Sequence, residues 1–253
     1  MAQNSIKNYW NKQSQSLHRD NDLLFYEKKA NEHLGIFSAH EKTYPALDIG
    51  CGAGELLSQL IIKLDIRSAC DISSSMLDEA KKKIRNSNLR FHRVTALETF
   101  LNSSHEALWM TTGAINQYLD AKDLKKALNI FSENKNAKIF TLFDCVDPFK
   151  YMLLMDKISY LPARKIRRSS ASAILRFLPK FVLSNWRLLY NYFKINCSGG
   201  CVYLGRASMG YGYKTYIWHQ WCGELGLSCE IVSSRYYEYR YHVIIKKLDS
   251  SAL

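Results

Sequence analysis

The stretch Ala46–Leu57 reads ALDIGCGAGELL and constrains the fold more than any other part of the chain. A short apolar run enters Asp48, glycines alternate at Gly50, Gly52 and Gly54, and a helix-forming stretch begins at Glu55. Glycine has no Cβ, so it takes positive φ easily and lets a ligand lie against the backbone. Three glycines between a strand and a helix N-terminus make a cradle of nucleotide size. A second apolar run ends in Asp71, 23 positions after Asp48. A carboxylate there can accept hydrogen bonds from the two neighbouring hydroxyls of a ribose.

The dinucleotide fingerprint has the form G-x-G-x-x-G. Here the third glycine comes one position early, and Glu55 stands where that fingerprint wants glycine. A phosphate loop ending in Gly-Lys-Ser/Thr is absent, and no lysine lies near the glycines. Asp48, directly before the turn, would repel a pyrophosphate and suits a ligand that carries positive groups. S-adenosylmethionine has an ammonium, a sulfonium and a ribose, and no phosphate.

On these residues the segment resembles the class I S-adenosylmethionine-dependent methyltransferases. Their first motif, apolar-Asp-x-Gly-x-Gly-x-Gly, is matched by Asp48, Gly50, Gly52 and Gly54, and their second by Asp71 in ACDISSSMLDEAKKKI. The resemblance covers residues 7–135 and resumes over 211–247. It implies that Asp48 and the backbone of Gly50, Cys51, Gly52 and Gly54 face the methionine part and ribose, with Ile72 and Met76 flanking adenine. After the third strand the family often places an acid near the adenine amine. Here that stretch is Thr95-Ala96-Leu97-Glu98, with Thr95 or Ala96 at the acid's place, so backbone carbonyls or Glu98 would substitute. Thr111 and Thr112 are expected near the methionine end. Tyr9, beside Trp10, resembles an N-terminal aromatic that covers the cofactor; ordinary helix packing explains that pair equally well.

Hydrophobic periodicity extends the same reading. Residues 4–35 read as helix. Strands are expected at 45–50, 66–71, 89–94, 107–112 and 137–146, with helices at 54–64, 73–86 and 121–133 between them. Such alternation implies a parallel sheet with right-handed crossovers. A helix from Thr215 stopped by Gly226, then two strands, would add an antiparallel edge. The expected fold class is α/β: a Rossmann-like, doubly wound, mostly parallel seven-stranded sheet with an antiparallel edge and an inserted helical lid. We divide the chain into an N-terminal helical cap (1–40), an S-adenosylmethionine-binding core (41–147), a basic helical lid (148–210) and the C-terminal part of the core (211–253).

The lid stands out by charge. The chain has 35 basic and 23 acidic residues, a net charge of +12. Twelve of the bases lie between Pro148 and Lys214 beside a single acid, Asp156. On a helix over 171–194, Arg176, Lys180, Arg187 and Lys194 would fall within about 40° of one another, with Pro179 kinking or breaking it. A solvated helix face accounts for this stripe. So does a cationic surface for an acidic or phosphorylated substrate or a membrane face. Charge alone also gives non-specific affinity for nucleic acid, but the chain shows no appended RNA-binding module.

Methyl transfer is an in-line displacement on an already activated cofactor, so the protein mainly supplies alignment. A hydroxyl acceptor also needs a base. The candidates are Asp144, at the end of the fifth strand, His219, His242 and Tyr211. Asn116-Gln117-Tyr118 could orient a polar acceptor. No constellation of paired acids for a divalent metal is evident, and Cys197-x-x-x-Cys201 lacks a second ligand pair for zinc. The seven scattered cysteines fit free thiols in a reducing cytoplasm. The N-terminal MAQNSIKNYWNKQSQ has no apolar run of secretory-signal type, and no run reaches the ~18 residues of a membrane span. The expectation is a cytoplasmic, metal-independent O-methyltransferase acting on a small or glycan acceptor, with an acidic or phosphorylated group on it. Alternatives are N- or lipid-precursor methylation in peripheral contact with a membrane, and a non-catalytic cofactor-binding partner.

Overall fold

A computed structural model describes residues 23–85, 88–102, 105–155, 190, 193–204 and 210–248. In chain order the elements are α1 (Leu23–Leu34), β1 (Ala46–Ile49), α2 (Glu55–Leu60), β2 (Ile66–Asp71), α3 (Ser74–Lys83), β3 (Arg90–Arg93), α4 (Ala96–Asn102) and β4 (Leu108–Thr111). They continue with α5 (Ala121–Glu133), β5 (Ile139–Val146), α6 (Pro148–Met155), β6 (Cys201–Tyr203), β7 (Tyr211–Tyr213), α7 (Thr215–Glu224), β8 (Leu227–Ser233) and β9 (Arg240–Lys247).

Seven strands form one sheet in the order β3-β2-β1-β4-β5-β9-β8. The pairings of β1 with β2 and β4, of β2 with β3 and of β4 with β5 are parallel. β9 pairs antiparallel with both β5 and β8. This is the Rossmann-like sheet with an antiparallel edge that the alternation predicts. The chain turns back between β1 and β4, and there the crevice beyond the strands' carboxyl ends opens.

Alternate residues of the central strands feed two core layers, as the two-residue period of a strand requires. Leu47, Ile49, Trp109, Phe140 and Leu142 join Phe131, Trp218 and Trp221 on one face. Ala46, Leu108, Met110, Ile139 and Phe143 join Leu57, Leu60 and Leu77 on the other. β5 is buried along its whole length, whereas β3, at the rim, is mostly exposed. The helices start where polar side chains can take their free amides. The Ser73 hydroxyl accepts from the Met76 N–H at the start of α3, and the Asp120 carboxylate accepts from the Asp123 N–H at the start of α5. Leu124, Ala127, Leu128 and Phe131 then make the buried stripe of α5.

The structure adds α4 over the stretch expected to meet the cofactor. Thr95 caps it: its hydroxyl accepts from the Glu98 N–H, while the Glu98 carboxylate accepts from the Thr95 N–H and hydroxyl. Glu98 thus closes a capping box and lies outside the residues that line the cleft beside the glycine turn. The segment after α6 is not helical throughout. Its described end is a hairpin in which Cys201 faces Tyr213 and Tyr203 faces Tyr211. The basic stripe at Arg176, Lys180 and Arg187, like Tyr9 and Trp10, lies outside the described residues. Among the described residues, no helix is long and apolar enough to cross a membrane.

Candidate functional site

A cleft of about 370 Å³ opens beside the glycine turn, within the ~300–1,000 Å³ typical of small-molecule sites. The segments at the ends of β1 to β4, with α1 and Asp123 of α5, build it. The turn after β1 supplies Gly50 to Ala53, and α2 adds Glu55 and Leu56. The end of β2 and the start of α3 supply Asp71, Ile72 and Met76. Val94, Thr95 and Ala96 come after β3, and Thr112, Gly113, Ile115, Tyr118 and Leu119 after β4. The fourth wall is α1, through Phe25, Tyr26 and Lys29.

Asp71 is held for its task by backbone. One carboxylate oxygen accepts from the Gly52 N–H at 3.0 Å and the other from the Ser73 N–H at 2.8 Å. Burial raises its pKa, and these amides oppose the rise. Each oxygen keeps a lone pair for a further donor. Gly52 itself faces open space, as a backbone wall for a ligand should.

Asp48 lies just beneath the cleft, fully buried. One of its oxygens accepts from the Thr112 hydroxyl at 2.7 Å and more weakly from the Thr112 N–H at 3.3 Å. The other oxygen is buried with no partner. Burial pushes its carboxyl up to about 7, despite the Thr112 bonds. An orphaned buried carboxylate oxygen is costly, and a positively charged ligand group would relieve it.

The other two glycines serve packing. Gly54, at φ 82°, opens α2, and a Cβ there would sit 3.0 Å from Ala80 of α3. It lies outside the cleft lining, contrary to its expected place against the ligand. A Cβ on Gly113 would lie 2.0 Å from the Gly50 carbonyl oxygen, so only glycine lets the β4 loop close onto the turn. Gly113 escaped the sequence reading, although a glycine directly after a strand at the sheet's carboxyl edge was a usable signal.

Thus Gly50, Cys51, Gly52, Asp71, Ile72, Met76, Thr95, Ala96 and Thr112 come together around one cleft. Leu97 packs against the core instead. Thr111 is fully buried, and its hydroxyl accepts from the Phe143 N–H.

The four candidate bases are dispersed. Asp144 is buried behind α1 and forms an ion pair with Lys29, with the Arg240 guanidinium at 3.9 Å. Burial alone would raise its pKa, but the cations, Lys29 foremost, bring it down to about 2. A carboxylate so strongly ionised is a poor proton acceptor. His242 is fully buried on β9, and burial lowers its pKa. Its Nδ1 accepts from the Asp144 N–H, which places the ring proton on Nε2, 3.4 Å from the Glu32 carboxylate. Glu32, His33 and His242 bring ligand-type atoms within 4.8 Å of one another, yet the Nε2 of His242 presents a proton there rather than a lone pair. His219 is exposed on α7. Tyr211 stands on the hairpin with its ring against Tyr203, and burial and Asp120 raise its pKa. None of the four lines the cleft.

The residues suit S-adenosylmethionine. Asp71 offers lone pairs for ribose hydroxyls, Ile72, Met76, Val94 and Ala96 offer apolar walls for a base, and Asp48 supplies buried negative charge. The family described as Methyltransferase domain matches residues 46–133. No curated protein sequence matches the chain. Among solved structures, magnesium protoporphyrin IX methyltransferase from Synechocystis PCC 6803 with bound S-adenosylmethionine aligns with a TM-score of 0.57 at 12% identity, over 97% of this chain and 96% of that one. The DhpI–S-adenosylhomocysteine complex aligns with a TM-score of 0.57 at 11% identity, over 97% of each chain. A putative S-adenosylmethionine-dependent methyltransferase from Methanococcus maripaludis gives 0.52 at 16% identity, over 96% and 95%. At such identities these structures establish the fold. The domain match lies across the glycine turn and Asp71, and together with the fold it supports a class I S-adenosylmethionine-dependent methyltransferase.

Proposed function

We propose that this methyltransferase acts without a metal on an oxygen of a small polar acceptor bearing an acidic or phosphorylated group, with Asp123 as the base. S-adenosylmethionine, when bound, supplies a methyl group already activated on a positively charged sulfur. The chain's part is to seat the donor, shield it and remove the acceptor's proton. Asp71 holds the ribose, Asp48 balances positive charge, and the Gly50–Ala53 backbone lets the donor lie close.

The observation that carries this reading is the state of the acids around the cleft. Among the described lining residues the acids are Glu55, Asp71 and Asp123. Glu55 is ion-paired with Lys83 at 2.5 Å, and Asp71 is tied to the amides of Gly52 and Ser73. The Asp123 carboxylate carries neither kind of tie, and burial, followed by nearby Asp120, raises its pKa. A carboxylate tuned upward at a cleft wall is what proton removal from a hydroxyl asks for. The bases concentrated between Pro148 and Lys214 favour an acceptor of negative charge.

The test is Asp123→Asn, assayed against paired neutral and phosphorylated hydroxyl acceptors. Donor affinity should stay within a few-fold, and kcat should fall ~100-fold or more with loss of the acidic limb of its pH profile. Unchanged kcat, or a preference for uncharged apolar acceptors, would overturn the reading.

A further inference from the structure

Lys29 sits on the second turn of α1, where its side chain is nearly buried yet lines the cleft. Its Nζ forms an ion pair with Asp144 and lies 5.3 Å from the centre of the Tyr237 ring. Among the described lining residues it is the one cation, facing a cleft whose other charged residues are all acids. The methyl donor, conversely, carries two positive groups and a single anion, its methionine carboxylate.

Position agrees with charge. α1 packs against α2, whose Glu55 and Leu56 directly follow the glycine turn and line the same cleft. Tyr26, one helical turn before Lys29, lies close enough to Glu55 for that charge to raise its phenol pKa, after burial. Asp71, Ile72 and Met76 mark the ribose and adenine end. The α1 wall therefore closes over the Gly50–Leu56 end.

We propose that Lys29 holds the carboxylate of the donor's methionine end, with Asp144 as the residue that positions it. An ammonium has three N–H donors, so bonding to Asp144 leaves donors for a ligand. Arg240 gives Asp144 a second cation, so its negative charge stays compensated when Lys29 shares its own. The Asp144 backbone is itself set, at φ 56°, with its N–H on the Nδ1 of His242. A point cation held by a buried partner loses less freedom on binding than a free surface lysine does.

This inference rests on the donor-binding reading of the cleft, and calorimetry on the full chain can separate the two. The probes are S-adenosylhomocysteine and its decarboxylated analogue, which keeps the amine and lacks only the carboxylate. Lys29→Met should weaken S-adenosylhomocysteine ~10- to 100-fold and leave the analogue unchanged, while Lys29→Arg should stay within a few-fold of wild type. The double variant Lys29→Met/Asp144→Asn leaves no orphaned carboxylate and should show the same selective loss, with circular dichroism confirming that it folds. An equal loss for both probes would reduce Lys29 to a structural part, and no loss for either would remove it from the donor site. If the wild-type chain bound neither probe, the donor reading would fall first and the inference with it.

Discussion

The two ends of the cleft are built on different principles. At the β1–β2 end the ties on Asp71 are made by backbone amides. Asp71 takes amides from Gly52 and Ser73, 19 and 2 residues away. At the α1 end the contacts each use a side chain and join distant parts of the chain. Lys29 meets Asp144 115 residues on, Asp144 meets His242 98 residues on, and Glu32 meets the Arg235 N–H 203 residues on. Backbone amides are placed by secondary structure and remain if one side chain changes. A buried ion pair depends on both partners, and removing one leaves the other charged in a poor solvent. The first end should therefore be robust in stability and sensitive in ligand binding. The second should be the reverse, with Lys29 serving both.

The hardest way to break this contrast is at Asp144. Asp144→Asn keeps a residue that tolerates positive φ but leaves Lys29 and Arg240 without their carboxylate. Urea unfolding at pH 7 should show a loss of ~3–5 kcal/mol. The parallel change Asp71→Asn should cost a smaller ~1–2 kcal/mol, because burial already disfavours that carboxylate's charge and the amide oxygen keeps one of the two backbone N–H bonds. Its cost should appear as lost S-adenosylhomocysteine affinity. Equal stability losses would erase the distinction between the two ends.

Asp48 sharpens the contrast through pH. Its carboxyl is raised from 3.8 to about 7 in the fold, chiefly by burial. A raised acid binds its proton more tightly when folded. The stabilisation is therefore complete below pH 3.8 and is lost as pH rises through about 7. Asp48→Asn removes that loss. Without ligand, the variant should be ~2–4 kcal/mol more stable than wild type at pH 8, with the gap closing towards pH 4. Denaturation midpoints across this range would show it, and a gap independent of pH would contradict it.

The smallest expected effect lies at the Thr95 cap. Thr95→Ala removes the hydroxyl that accepts from the Glu98 N–H and should cost ~1 kcal/mol. Donor affinity should hardly change, because Thr95 meets the cleft as part of a wall and its hydroxyl is committed to the helix. A large affinity loss at constant stability would reassign Thr95 to the ligand.

The same contrast explains what the sequence made legible. The alternation of strands and helices, the glycine turn and Asp71 are local patterns, each readable within a few dozen residues. They led to the sheet and to most residues that line the β1–β2 end of the cleft. Thr95-x-x-Glu98 was equally local and carried a capping-box pattern that announced α4, but it was read as a ligand contact. Phe25, Tyr26 and Lys29 left no such signal. Nothing in KK at 28–29 distinguishes Lys29 from its neighbour until α1 is laid against α2 and Asp144 arrives from β5. Asp144, His242 and Tyr211 invited a catalytic reading by residue type and position near strand ends. Burial and pairing partners, which sequence does not display, gave two of them structural work.

The place of β9 has a consequence for how the protein comes into being. This strand comes last in sequence among the described strands, yet it fits between β5 and β8 and carries the histidine that receives the Asp144 amide. A nascent chain can thus fashion its glycine turn while the opposite wall still lacks its supports. The α1 wall gains those supports only after β9 has been made.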